Sequence, residues 1–211
     1  MRMKPILSLS LMAAVLMTGC LGGGSKEQRL AQTQKRLFVP EVSPAVAKIE
    51  HPLFGAVKCR PFHALPPANN RSFVIRRAGG EAAIDYYNCW LTAPEELFGT
   101  LVYRYLEKTG LFAQVFDAAS GSVTDLGLDG WITDLYLDYT EPSKPMACVG
   151  LRLTVLNERS PDFPVIVSVE RQAKAPISAE GPTASAQAFS AAFSQVLTEL
   201  VEALREAARG L

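Results

Sequence analysis

Trp131-Ile132-Thr133-Asp134-Leu135-Tyr136-Leu137-Asp138-Tyr139 decides the fold. Trp131, Thr133, Leu135, Leu137 and Tyr139 fall on one side of an extended chain, with Ile132, Asp134, Tyr136 and Asp138 on the other. A period of two belongs to a half-buried strand. The pattern recurs downstream. Val149, Leu151, Leu153 and Val155 alternate with Gly150, Arg152, Thr154 and Leu156, and Val165, Val167 and Val169 with Ile166, Ser168 and Glu170. Pro142, Pro145, Pro161 and Pro164 punctuate the intervening segments. The expectation is an antiparallel meander with one buried face.

Outward from the meander the period changes. Phe189, Phe193, Val196, Leu200 and Leu204 recur at helical spacing, while Glu199, Glu202, Arg205 and Glu206 lie mostly off that face. This predicts a long C-terminal amphipathic helix covering the sheet. Upstream, Phe73-Val74-Ile75 and Ile84-Asp85-Tyr86-Tyr87 read as a hairpin around Ala78-Gly79-Gly80-Glu81. A strand is expected over 54–60, at an edge, because Pro61 cannot donate to a ladder. Pro94 opens a helix with Thr92 as its cap, Glu95 and Glu96 complementing its dipole and Gly110 ending it. Its stripe is Leu97, Leu101 and Tyr105, flanked by Phe98, Val102 and Leu106. Phe112–Phe116 is again a strand. The fold class is α+β: a single antiparallel-rich sheet with a central helix and the long C-terminal helix packed on it.

The chain has 211 residues, 48% hydrophobic, with 21 basic and 21 acidic side chains. That balance speaks against a nucleic-acid partner, which demands basic surface. The apolar content speaks against disorder of the whole chain. At the N-terminus, Arg2 and Lys4 precede an apolar run from Ile6 to Met17, too short for a spanning helix of about 20 residues. It reads as a secretory signal over residues 1–19. The run closes on Leu16-Met17-Thr18-Gly19-Cys20, which looks like a bacterial lipobox with Met17 in place of the usual Leu. Cys20 is the expected lipidation site; an ordinary secretion signal or an uncleaved anchor is the alternative. Removing residues 1–19 leaves 19 basic against 21 acidic side chains. Leu21-Gly22-Gly23-Gly24-Ser25 and the polar residues 26–36 read as a stalk, so 20–36 is the lipidated Cys and flexible stalk and 37–211 the domain. Leu21 is not the Asp that retains enteric lipoproteins in the inner membrane, which favours the periplasmic side of the outer membrane.

Candidate chemistry is sparse. No G-x-S-x-G, H-E-x-x-H, C-x-x-C or P-loop pattern occurs. His51 lies in a Pro-rich connector at 40–52 and His63 follows a strand, without a nucleophile at local spacing. Asp125, Asp129, Asp134 and Asp138 lack the close spacing of a calcium loop and read as a solvated face. Cys59, Cys89 and Cys148 cannot all pair; Cys59–Cys89 is conceivable, and three buried small apolar residues is the commoner outcome. Tyr86, Tyr87 and Trp90 form an aromatic knot expected in the core, the alternative being an exposed patch for a partner or lipid. No catalytic residue, metal or cofactor is expected.

The segment Arg71–Phe116 resembles the ABC-type transport auxiliary lipoproteins, the paraquat-inducible protein C-like family associated with MCE transporters. The residues that carry it are Phe73-Val74-Ile75-Arg76-Arg77, Ile84-Asp85-Tyr86-Tyr87-Asn88-Cys89-Trp90, Ala93-Pro94-Glu95-Glu96-Leu97 and Gly110-Leu111-Phe112-Ala113-Gln114-Val115. Leu128-Asp129-Gly130-Trp131 continues the likeness into the long strands. It covers roughly residues 54–208 together with the lipobox. The polar segment 26–36 and Cys89 before Trp90 depart from the family's pattern. The resemblance implies a non-enzymatic lipoprotein that docks a periplasmic MCE-domain protein of a transporter for phospholipids or other hydrophobic molecules. It is held to the membrane by its lipid anchor, and a second copy of the chain is admitted as a further partner. The competing expectation is an outer-membrane assembly or secretion lipoprotein scaffolding a pore or β-barrel.

Each buried acyl CH₂ contributes about 0.8 kcal/mol, so several chains at Cys20 hold the protein to a bilayer almost permanently. Cys20→Ser should therefore leave an uncleaved or soluble precursor. Fractionation that finds this variant wholly in the outer membrane would refute the lipobox reading.

Overall fold

The computed structural model describes residues 34–42 and 47–210, so the signal segment, Cys20 and most of the expected stalk lie outside the described residues. The strands are β1 (Arg36–Phe38), β2 (Phe54–Cys59), β3 (His63–Ala64), β4 (Ser72–Arg77), β5 (Ala82–Trp90), β6 (Phe112–Phe116), β7 (Leu126–Tyr139), β8 (Met146–Asn157) and β9 (Val165–Pro176). Helix α1 (Pro94–Thr109) crosses from β5 to β6, and α2 (Pro182–Ala208) ends the fold. Arg36, assigned to the stalk by its polarity, opens β1 and pairs with Asn88.

Strand β7 is the seam. One edge pairs antiparallel with β8 from Leu126 to Asp138, and β9 continues the meander. The other edge takes three parallel partners in turn: β2 at Leu126–Leu128, β3 at Trp131–Ile132 and β4 at Leu137–Tyr139. Strand β6 lies beyond β2, while β5 and then β1 lie beyond β4. The sheet is thus mixed, where the sequence suggested mainly antiparallel pairing. Strand β2 has neighbours on both sides and is not an edge; Pro61 stands past its end, where no ladder donor is needed.

The alternation along β7 is interrupted. Leu128 and Ile132 are buried in the main core, and so are Leu135 and Leu137, which have the opposite parity. The switch is a β-bulge: Ile132 pairs with Leu151 and Asp134 with Gly150, leaving Thr133 unpaired. A Cβ on Gly150 would collide with Thr133 Oγ1 and with Asp134, so the bulge depends on that glycine. Trp131, expected on the core side, therefore lies opposite Ile132 and stacks on His63 at 4.6 Å. Strand β8 keeps its parity, and Val149, Leu151, Leu153 and Val155 are all fully buried as expected. A second register shift at the start of β9 leaves Val165 exposed.

Both helices contribute to the core on one side of this sheet. From α2, Phe189, Phe193, Val196, Leu200 and Leu204 are completely buried, as their spacing predicts. From α1, Phe98 and Val102 are buried most deeply, and Leu101 only in part. The N-cap of α1 is Ala93 and no side chain caps it, so Thr92 does not take that role. Pro94 at the first turn removes one donor that would need a partner. Gly110 ends the helix in the left-handed region at φ 68°, and a Cβ there would run into the Ile49 carbonyl oxygen.

Trp90 is the aromatic centre of the core. Phe73, Phe189 and Phe98 surround it at 4.6, 4.9 and 5.2 Å between ring centroids. Arg71 Nε donates to the Trp90 carbonyl at 3.0 Å, and Trp90 N donates back to the Arg71 carbonyl at 2.8 Å. Phe62 fills a second slot, between Gly99 of α1 and Gly130 of β7. A Cβ at Gly130 would enter the Phe62 ring. Gly130→Ala should therefore lower stability by about 1–3 kcal/mol through overpacking. Gly121→Ala, into open space, should stay within about 0.5 kcal/mol in the same urea titration.

Candidate functional site

Cys20, the expected lipidation site, lies outside the described residues. The other sequence candidates can be placed. His51 is exposed, and His63 is exposed on the ring of Trp131. The four aspartates are separated by their partners rather than gathered. Asp125 pairs with Arg159, and Asp129 with Arg60, which also holds Glu158 at 2.9 Å. Among the described residues no group of three or more His, Cys, Asp or Glu is placed to hold a metal ion. No helix among them is long and apolar enough to cross a membrane.

The three described cysteines are free and buried, so Cys59 and Cys89 do not pair. Burial, assisted by the charge of Asp117, pushes the Cys59 thiol up to about 12. A thiol so far from its thiolate at neutral pH is a packing group, not a nucleophile. Cys59 lines an open cavity of about 490 Å³, together with Phe62, Glu95, Glu96, Gly99, Tyr103 and Asp117. Its walls come from the first turns of α1 and the segments that follow β2 and β6. The carboxylates of Glu95, Glu96 and Asp117 beside an inert thiol and a tyrosine supply no activated nucleophile.

The aromatic knot divides. Trp90 belongs to the core, while Tyr86 and Tyr87 are 66% and 43% exposed. The cause is a wide irregularity between β4 and β5. Ser72 faces Cys89 and the next residue, Phe73, already faces Asp85, so Tyr86-Tyr87-Asn88 is extruded from the ladder. The Asp85 carboxylate builds the extrusion. Its Oδ1 accepts from Tyr87 N at 3.1 Å and Asn88 N at 3.2 Å, and its Oδ2 from Asn88 Nδ2 at 2.6 Å. The two phenol rings meet edge to face at 5.5 Å, and Lys35 Nζ sits 4.5 Å from the centre of the Tyr86 ring. The signal for this was present in the sequence, since an Asp followed by three polar or aromatic residues can turn on its own side chain. The strand pattern around it hid the turn.

The sheet face opposite the helices carries a small cluster of Val74, Tyr136 and Cys148. Arg76 covers it, 4.7 Å from the Tyr136 ring and hydrogen-bonded to the phenol oxygen at 3.0 Å. Asp138 is on this polar face as its alternation predicts, but it is held rather than solvated. The Thr140 hydroxyl donates to it at 2.7 Å, the Thr140 amide at 3.1 Å and Lys174 Nζ at 3.1 Å. The Thr140 hydroxyl first, then its amide and Lys174, hold the carboxyl down at about 2 against the opposing effect of burial. A depressed carboxylate stabilises the fold above its unfolded value, about 4, and that stability is lost as pH falls through the window down to about 2. Asp138→Asn should forfeit about 2 kcal/mol at neutral pH and show a flatter acid limb. Denaturant midpoints measured from pH 7 downward check this; parallel acid limbs for the two proteins would contradict it.

No family model matches the chain, and no curated protein does. Solved structures share the fold. A crystal structure of a Xanthomonas campestris protein of the DUF330 family aligns with a TM-score of 0.69 and 22% identity, covering 83% of this chain and 98% of that one. A hypothetical protein from Chlamydia trachomatis aligns with a TM-score of 0.52 and 10% identity over 75% of this chain and 99% of that one. Lipoprotein GNA1162 from Neisseria meningitidis aligns at a TM-score of only 0.38, with 12% identity over 74% and 99% of the two chains, and carries no argument about the fold. What the chain shares with the Xanthomonas protein is an architecture, carried along nearly the whole length of that protein.

Proposed function

We propose that the chain is a periplasmic lipoprotein, anchored in the outer membrane through Cys20. It acts as the non-catalytic auxiliary component of an MCE-type ABC transport system for phospholipids or other hydrophobic molecules. One observation supports this above the others: the residues that carry the family resemblance are joints of the fold. Arg71 clamps the backbone of Trp90, Trp90 centres the core, Pro94 starts α1, Gly110 ends it and Gly130 admits Phe62. Each acts through backbone conformation or close packing, so the likeness is one of shape, and shape is what a docking subunit offers. ATP hydrolysis would belong to another subunit, in keeping with a sequence that has no P-loop.

A tethered domain needs little intrinsic affinity, because the anchor keeps its local concentration high. Micromolar or weaker binding to the periplasmic part of a co-encoded MCE protein would suffice. The full lipidated chain in detergent, mixed with that protein at micromolar concentrations, should co-elute with it or raise its scattering mass. Absence of association, both with the isolated partner and with the complete transporter, would overturn the proposal in favour of a secretion scaffold.

A further inference from the structure

The geometry points to the Tyr86–Tyr87 extrusion as a contact with the headgroup layer of the bilayer that holds the anchor. This inference rests on the lipidation of Cys20 proposed above. Two exposed phenol rings would be unremarkable if scattered, but these are built. The Asp85 carboxylate is fully engaged by Tyr87 N, Asn88 N and Asn88 Nδ2, which fixes the backbone that displays the rings. The same engagement keeps the only carboxylate of residues 82–91 bound to its own turn. The charges beside the rings are basic: Lys35 over Tyr86, and Arg36, which pairs in β1 with Asn88 of the extrusion.

The chain's own path selects the occupant. Lys35 and Arg36 are the residues by which the segment following Cys20 arrives at the domain. Fifteen residues at most about 3.5 Å each limit the reach from the anchor to roughly 50 Å. The extrusion is therefore the part of the described surface that the tether brings nearest in sequence to the lipid. Phenol rings with an apolar body and a hydroxyl tip suit the interface between acyl chains and headgroups. Lysine and arginine beside them suit anionic headgroups. A protein partner seated on the same rings is a different outcome, which the experiment separates.

The test uses the full lipidated chain on vesicles of phosphatidylethanolamine and phosphatidylglycerol carrying brominated acyl chains. Tyr87→Trp places a reporter on the extrusion. Val123→Trp serves as the control, at a fully exposed site in the loop after β6, at the far end of the sheet from β1. Emission of wild type, with Trp90 and Trp131 alone, is subtracted, and unchanged near-ultraviolet circular dichroism shows that each variant folds. A blue shift with bromine quenching at position 87 and none at 123 is expected. Equal behaviour of the two reporters, on a chain whose acyl mass is confirmed, overturns the contact and leaves the anchor standing. A chain without acyl mass removes the anchor and this inference together. A shift at 87 that requires added MCE protein assigns the rings to a protein partner and overturns the lipid contact.

Discussion

A fourteen-residue strand with partners on both edges must turn the correct side chains toward the core through its whole length. In β7 a strict period of two would fail this demand, because Ile132 and Leu135 both need the buried face. The chain resolves the conflict by absorbing one residue opposite Gly150, where no side chain blocks Thr133 and Asp134. Everything attached to β7 inherits that choice. Upstream of the bulge, Leu128, Gly130 and Ile132 meet the elements around β2, β3 and Phe62. Downstream, Leu137 pairs with Ile75 of β4, and it and Leu135 join the same core as Trp90. Without the interruption one half of the sheet would present tyrosine and aspartate to the helices. Burying either without partners costs several kcal/mol.

The parts legible in the sequence are those whose information is local. Strand β8 keeps one parity from Ala147 to Val155, and α2 keeps one stripe from Phe189 to Leu204, so pattern alone places both. The parallel pairings of β2, β3 and β4 with β7 are not local. Val57 meets Leu126 and Ile75 meets Leu137 only after the helix α1 has carried the chain across, and no periodicity records such a partner. Trp131 departs from its expected side because its alternation continues smoothly in sequence through a bulge that exists only against Gly150. Thr92 does not cap α1, whose start Pro94 already relieves of one donor. Of the candidate site, the lipobox and the Tyr86–Tyr87 pair were visible as residues. The exposure of the pair was not, because it depends on Asp85 turning back onto its own backbone.

The two surfaces described differ in how they are made. The cavity under α1 is bounded by elements that meet for other reasons, and its thiol is inert through burial. The tyrosine extrusion is maintained by three dedicated hydrogen bonds at the edge where the chain joins the domain. Structure that is held against the regular ladder at a cost in pairing is where a selected surface property is best sought.

The parallel seam also bears on when the domain can close. Strands β2, β3 and β4 have no complete sheet to join until β7 has been made, and α2, which covers β8 and β9, is the last element of all. Contacts spanning so much of the chain slow folding, since long loops must be closed before any burial repays them. Were the chain exported through a narrow channel, as the proposed function requires, late closure would be an asset. A domain whose first half cannot settle without its second remains threadable until translocation is finished.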